Sequence, residues 1–162
     1  LKAAPGRMQT IHGHPAGARI VVDYAHTPDA LAAALGALRP EASGKLVVIV
    51  GCGADRELGK RAMMGRVACK IADEVIITDD NPRSEDPASI RSAILKSCDK
   101  ATEIVPRDKA IASALGNLVA GDVLLIAGKG HETGQLIGNE TLPFDDVSVA
   151  NNKIQTMRKA LQ

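Results

Sequence analysis

Leu46-Val47-Val48-Ile49-Val50 runs directly into Gly51-Cys52-Gly53-Ala54-Asp55-Arg56. An uninterrupted apolar run, rich in β-branched side chains, is what a strand covered on both faces requires. A strand with one face in water would alternate instead. The glycines that follow allow other backbone to approach the carboxyl end of that strand closely. Two further runs repeat the pattern. Glu74-Val75-Ile76-Ile77 leads into Thr78-Asp79-Asp80-Asn81-Pro82-Arg83, and Val123-Leu124-Leu125-Ile126-Ala127 leads into Gly128-Lys129-Gly130-His131-Glu132-Thr133-Gly134.

Helical patterns lie between these runs. Thr27 before Pro28 is a hydroxyl cap with proline at the first helical position, and apolar spacing continues over 30–38 until Pro40 ends it. Helices are expected over 60–72, from an Asp86 cap with Pro87 to about 98, from 108 to 118 with Asp108 as cap, and from 147 to 161 with Asp146 as cap. Residues 19–24 and 103–105 read as further strands. Residues 8–12 pair naturally with 19–24 as an edge hairpin across Gly13 to Gly17, and residues 135–144 read as a hairpin around Gly138-Asn139. Strand–loop–helix units in succession require a mostly parallel sheet. The expected fold is α/β: a Rossmann-like, doubly wound sheet of about six strands with one antiparallel edge strand, formed by residues 1–162 as a single domain.

Composition narrows the partners. Twenty Lys+Arg against nineteen Asp+Glu leave a formal charge of +1, and the only large aromatic residues are Tyr24 and Phe144. Neither a basic field nor stacking platforms are present for nucleic acid. No apolar stretch approaches the about 18 residues that span a bilayer, and no basic-then-apolar leader opens the chain. Neither nucleic acid nor membrane is therefore an expected partner. Cys52, Cys69 and Cys98 show no C-x-x-C or metal-ligand spacing, as expected of reduced thiols in a cytoplasmic protein. A start at Leu1 rather than Met suggests a fragment or a processed product.

If the sheet is parallel, the loops 24–27, 53–59, 79–83 and 128–134 crowd one edge and line one cleft. Two familiar motifs fail there. Gly53 stands one residue too far from Gly59-Lys60 for a phosphate loop, and Arg61 replaces its Ser or Thr. Arg56 occupies the third glycine position of a dinucleotide fingerprint, which makes a nicotinamide-dependent oxidoreductase a poor reading. Gly128-Lys129-Gly130 can cradle an anion or be a plain turn. Lys60, Arg61 and Arg66 read as solvated charges, with Lys60 near enough to the loop to reach an anion. Asp23 and His26 are explained as well by a helix cap with a surface histidine as by a role in the cleft. Arg56, Arg83 and Glu132, with Asn81 beside them, complement a small zwitterion: guanidinium groups for carboxylates, a carboxylate for an ammonium. An internal Arg–Glu ion pair fits the same residues.

Pro5-Gly6-Arg7-Met8, Val22-Asp23-Tyr24-Ala25-His26-Thr27-Pro28-Asp29, Gly53-Ala54-Asp55-Arg56 with Gly59-Lys60-Arg61, Asp80-Asn81-Pro82-Arg83 and Gly128-Lys129-Gly130-His131-Glu132 occur in that order. Together they resemble the C-terminal domain of the Mur ligases, and among them the branch that adds meso-diaminopimelate. The likeness extends from about residue 5 to residue 150. It implies an ATP- and Mg2+-dependent amide ligase of bacterial peptidoglycan synthesis. Its other substrate would be UDP-N-acetylmuramoyl-L-alanyl-D-glutamate, activated as an acyl phosphate. It also implies that Arg56, Asp80, Asn81, Pro82, Arg83, Gly128 and Glu132 bind the amino acid, and that Arg7, Asp23, His26 and Lys60 face the nucleotide. No catalytic residue and no metal ligand are expected within the chain. Lysine-adding members lack the arginine of the Asp-Asn-Pro-Arg stretch, and an unpaired buried charge makes discrimination of ~10³ reasonable.

The Gly-Lys-Thr/Ser phosphate loop of that family is absent from all 162 residues. So are its UDP-binding domain and the carbamylated lysine that helps hold magnesium. The resemblance therefore implies the amino-acid-binding third of a three-domain enzyme, inactive alone, with ATP and Mg2+ held mainly by the other domains. A free-standing amino-acid- or nucleotide-binding module is the alternative, since such a sheet hosts many functions.

Overall fold

The structure, a computed structural model, describes residues 4–54 and 57–162. β1 (Gln9–Ile11) and β2 (Arg19–Asp23) pair antiparallel, with Thr10 opposite Val21. The chain continues through α1 (Pro28–Leu38), β3 (Leu46–Val50), α2 (Gly59–Ile71), β4 (Glu74–Ile77), α3 (Pro87–Leu95), β5 (Thr102–Glu103), α4 (Arg107–Asn117) and β6 (Val123–Ala127). A hairpin of β7 (Gly134–Ile137) and β8 (Glu140–Pro143) precedes the closing helix α5 (Asp146–Ala160).

Six strands form one sheet in the order β1-β2-β6-β3-β4-β5; β1 is antiparallel and the other five are mutually parallel. This is the expected Rossmann-like sheet with an antiparallel edge. The alternation hidden in the apolar runs now becomes visible. Val48 and Val50 point into a core shared with Leu31 and Leu35 of α1, Met64 and Ala68 of α2, and Ile90 and Ile94 of α3. Val47 and Ile49 point to the opposite face, against Ala110, Ile111 and Leu115 of α4 and Ala150 and Ile154 of α5. Each fully buried Leu, Ile or Val contributes about 1.5–3 kcal/mol relative to exposure, which is why both faces of β3 and β6 must be apolar.

Local signals act largely as expected. The Thr27 hydroxyl accepts from Ala30 N–H at 3.2 Å, and the Asp86 carboxylate accepts from Ala88 N–H at 3.2 Å. α1 ends at Leu38, as Pro40 requires, and Pro40 itself sits in a 3-10 turn over Arg39–Glu41. Three expectations need correction. Pro106, not Asp108, is the N-cap of α4; Asp108 lies inside its first turn, where its charge suits the helix dipole. Asp145, not Asp146, caps α5, accepting from Val147 N–H at 3.0 Å. Arg61 is not solvated: it is 4% exposed and grips both oxygens of Glu85 at 2.7 Å. Ends also move, with α3 stopping at Leu95 and β5 reduced to Thr102 and Glu103. All three cysteines are free thiols, and burial, with the Cys69 thiol beside it, pushes Cys98 up to about 11.

Candidate functional site

The loops that follow β2, β3, β4 and β6 meet at the carboxyl edge of the sheet, as a parallel arrangement demands. They enclose a cleft of about 160 Å³ lined by Tyr24, His26, Gly51 to Ala54, Lys60, Asp80, Asn81, Arg83, Gly128 and Glu132. Glycine is required at two points of this convergence. A Cβ on Gly51 would lie 2.8 Å from Thr78 O and 3.1 Å from Asp80 N, so any side chain would push β3 off β4. Gly128 adopts φ +111°, and a Cβ there would lie 2.9 Å from Asp80 Oδ2.

Beneath the cleft lies a charged floor. The Lys129 side chain is fully buried; its Nζ donates to Asn81 Oδ1 at 3.0 Å and Glu132 Oε2 at 3.2 Å, and lies 3.6 Å from Asp80 Oδ1. Asn81 Oδ1 also accepts from Leu136 N–H at 3.0 Å, while Asn81 Nδ2 donates to Glu132 Oε2 at 2.9 Å. Asp80 is 6% exposed. Burial raises its carboxyl pKa, and the nearby Arg107 and Lys129 cations oppose that rise. Gln135 Nε2 donates to Asp80 O at 2.7 Å and fixes the backbone of the same turn.

Arg83 stands on the rim. Its φ of +52° is left-handed, a costly conformation for a residue with a side chain. The β7–β8 hairpin holds it there: Arg83 N–H donates to Leu136 O at 2.8 Å, and Gly138 N–H donates to Arg83 O at 2.5 Å. The turn thereby places Arg83 at the cleft, next to a buried Pro82. Behind the floor, Arg107 and Asp146 form a wholly buried ion pair at 2.7 and 2.8 Å. Arg107 also donates to Asp79 O at 3.2 Å and Ala127 O at 3.0 Å, tying the ends of β4 and β6 to α5.

The structure thus gathers most of the residues singled out from sequence. Asp80, Asn81, Arg83, Gly128, Glu132, His26 and Lys60 share the cleft, whereas Pro82 is buried and is not among its lining residues. Arg7 and Asp23 adjoin it. The Arg7 guanidinium lies 5.7 Å from the centre of the Tyr24 ring, and that ring lies 4.4 Å from His26 and 5.6 Å from His131. Asp23 accepts from Met8 N–H at 2.8 Å and Ala25 N–H at 2.9 Å, so its carboxylate anchors the entering chain. Arg56 lies outside the described residues. Among those described, the internal ion pair of Glu132 is with Lys129 rather than an arginine.

Lys129, Arg107 and Asp146 escaped the sequence reading as parts of this site. Lys129 sat between two glycines as a loop residue; Arg107 and Asp146 carried no signal beyond their helix-start positions. Among the described residues no group of three or more His, Cys, Asp or Glu side chains gathers to hold a metal ion. No described helix is long and apolar enough to cross a membrane.

Known proteins resemble this chain over nearly its whole length. The UDP-N-acetylmuramoyl-L-alanyl-D-glutamate–2,6-diaminopimelate ligase of Bradyrhizobium diazoefficiens is 58% identical over 146 residues, which are 90% of this chain and 30% of the relative. The enzyme of that name from Mesorhizobium japonicum is 55% identical over 146 residues, with the same coverage. The chain therefore spans about 30% of the length of these relatives. A solved structure of a ligase of that name superposes with a TM-score of 0.89 at 42% identity, covering 98% of this chain and 33% of that one. The profile of the family described as Mur ligase, glutamate ligase domain, matches residues 6–130. That match takes in the β2, β3 and β4 loops and Gly128-Lys129-Gly130 of the fourth, and on this ground the chain belongs to the Mur ligase family.

Proposed function

We propose that this chain is the amino-acid-binding part of a cytoplasmic, ATP-dependent ligase that joins meso-diaminopimelate to UDP-N-acetylmuramoyl-L-alanyl-D-glutamate in peptidoglycan synthesis. The observation that carries the reading is Arg83, held in a left-handed turn at a cleft that Glu132 also lines. Backbone strain at a cleft rim is maintained by surrounding bonds and marks a functional constraint. The names of the relatives that share 55–58% of these residues support the same ligand.

In this reading ATP transfers its γ-phosphoryl group to the γ-carboxyl of the D-glutamate. The amine of meso-diaminopimelate attacks the acyl carbon, loses a proton, and the tetrahedral intermediate expels phosphate. This chain binds and orients the amine-bearing substrate. Arg83 and Arg56 take its distal carboxylate, with Asp80, Asn81 and Pro82 shaping the turn, Gly128 offering backbone and Glu132 meeting the ammonium. Orientation of a nucleophile is a large part of such catalysis. Arg7, His26 and Lys60 face the nucleotide, and the Arg7–Tyr24–His26 rim offers cationic and ring surfaces that fit one. Asp23 belongs to that rim as its anchor through Met8 and Ala25. ATP and Mg2+ would be held mainly by the rest of the longer protein.

Calorimetry of the full-length protein tests this. meso-Diaminopimelate should bind about 10³-fold more tightly than L-lysine, because lysine leaves the guanidinium without its anion. Arg83→Ala should remove most of that difference. Equal affinities in the unaltered protein, or no effect of the substitution, would sink the reading.

A further inference from the structure

Recognition of an amino acid at the rim does not by itself explain Lys129. An ammonium with no exposed side-chain surface must be matched by partners or it destabilises the fold. Its partners are drawn from two loops: Asn81 and Asp80 after β4, and Glu132 after β6. The consequence passes outward. With Asn81 Oδ1 held by the Lys129 ammonium and by Leu136 N–H, Asn81 Nδ2 is left to donate to Glu132. Leu136 in turn accepts from Arg83 N–H through its carbonyl. One buried cation therefore fixes the amide of Asn81, the carboxylate of Glu132 and, through β7, the turn of Arg83.

We propose that Lys129 is a positioning residue that sets the separation between Arg83 and Glu132, and so determines which doubly charged amino acid fits. It lies below the cleft and acts only through the groups it holds. This rests on the reading of the cleft as an amino-acid site. The geometry favours it over a purely structural role because every partner of the ammonium belongs to the cleft wall or its turn. A cation placed for stability alone has no need to bridge the two loops that bear the recognising charges.

The test uses the full-length protein with Lys129→Met, which keeps the stem and removes the charge. The KM for meso-diaminopimelate should rise about ten-fold or more, a larger change than the accompanying fall in kcat, since the groups that Lys129 holds bind the amino acid. The KM values for ATP and the UDP-linked dipeptide should hold, and preference over L-lysine should shrink. Hydrogen exchange should quicken over residues 79–84 and 133–138 and stay slow in the sheet. Lys129→Gln, also neutral, serves where the Met variant does not fold, and the same KM rise is expected. A folded variant with the original amino-acid KM and unchanged exchange in those two segments overturns the proposal, as does failure of both variants to fold. If the unaltered protein does not use meso-diaminopimelate, the proposed function fails instead. The exchange measurement then decides the positioning role alone.

Discussion

Asp80 is the residue at which burial and charge oppose each other most directly. Its carboxyl pKa is raised, first by loss of water and against the pull of Arg107 and Lys129. A group whose folded pKa lies above its unfolded one keeps a proton in the folded chain that the unfolded chain has already lost. Its contribution to stability is therefore present at low pH and is lost as pH rises from the ordinary carboxyl range through the raised value. Asp80→Asn, which cannot ionise, should gain stability relative to the parent across that window and level off above it. Urea unfolding at a series of acidic to neutral pH values would show this; a parallel pH dependence in both proteins would refute it. That the turn bears a carboxylate at Asp80 and an amide at Asn81 was legible in the sequence. That Asp80 faces a buried ammonium was not, because Gly128-Lys129-Gly130 has no pattern that says which way its lysine turns. Gly128 at φ +111° and Gly130 at φ +55° make the inward path possible, and that is a property of folded backbone.

At the scale of elements, α5 shows where local rules stop. Asp145 and Asp146 are equivalent candidates by capping chemistry, and a one-residue choice depends on what lies across from each. Asp145 takes the cap, while Asp146 turns inward to Arg107 of α4. The two substitutions should separate sharply. Asp145→Ala should cost about 1 kcal/mol, the usual loss of a cap. Asp146→Ala should cost about 3–5 kcal/mol, because it leaves a fully buried guanidinium without its anion. Denaturant midpoints at constant slope measure both, and equal costs would show that the buried pair has been misjudged. The same limit applies to the β7–β8 hairpin. Gly138-Asn139 announces the turn, but nothing local announces that Leu136 and Gly138 will bond Arg83 and hold it left-handed.

Across the whole molecule, the sheet and its functional edge were legible because they follow from burial. Runs such as Val123–Ala127 are apolar at every position since α1–α3 cover one face and α4–α5 the other. Parallel strands then bring their carboxyl ends together without any further signal. What that edge lacks is as physical as what it has. Activating a carboxylate with ATP requires a cradle for the β- and γ-phosphates and a place for the metal that neutralises them. No Gly-Lys-Thr/Ser loop occurs in the 162 residues, and Lys129, the lysine of the glycine loop, is turned to Asp80, Asn81 and Glu132 instead. The chain spans about 30% of the length of its relatives. We therefore expect this chain alone, given ATP, Mg2+, the UDP-linked dipeptide and meso-diaminopimelate, to release no phosphate above background. The full-length protein should release it only when the dipeptide is present. Dipeptide-dependent phosphate release by the 162-residue chain alone would mean that the nucleotide is held at the sheet edge itself. The rim of Arg7, His26 and Lys60 would then be the first place to look for its cradle.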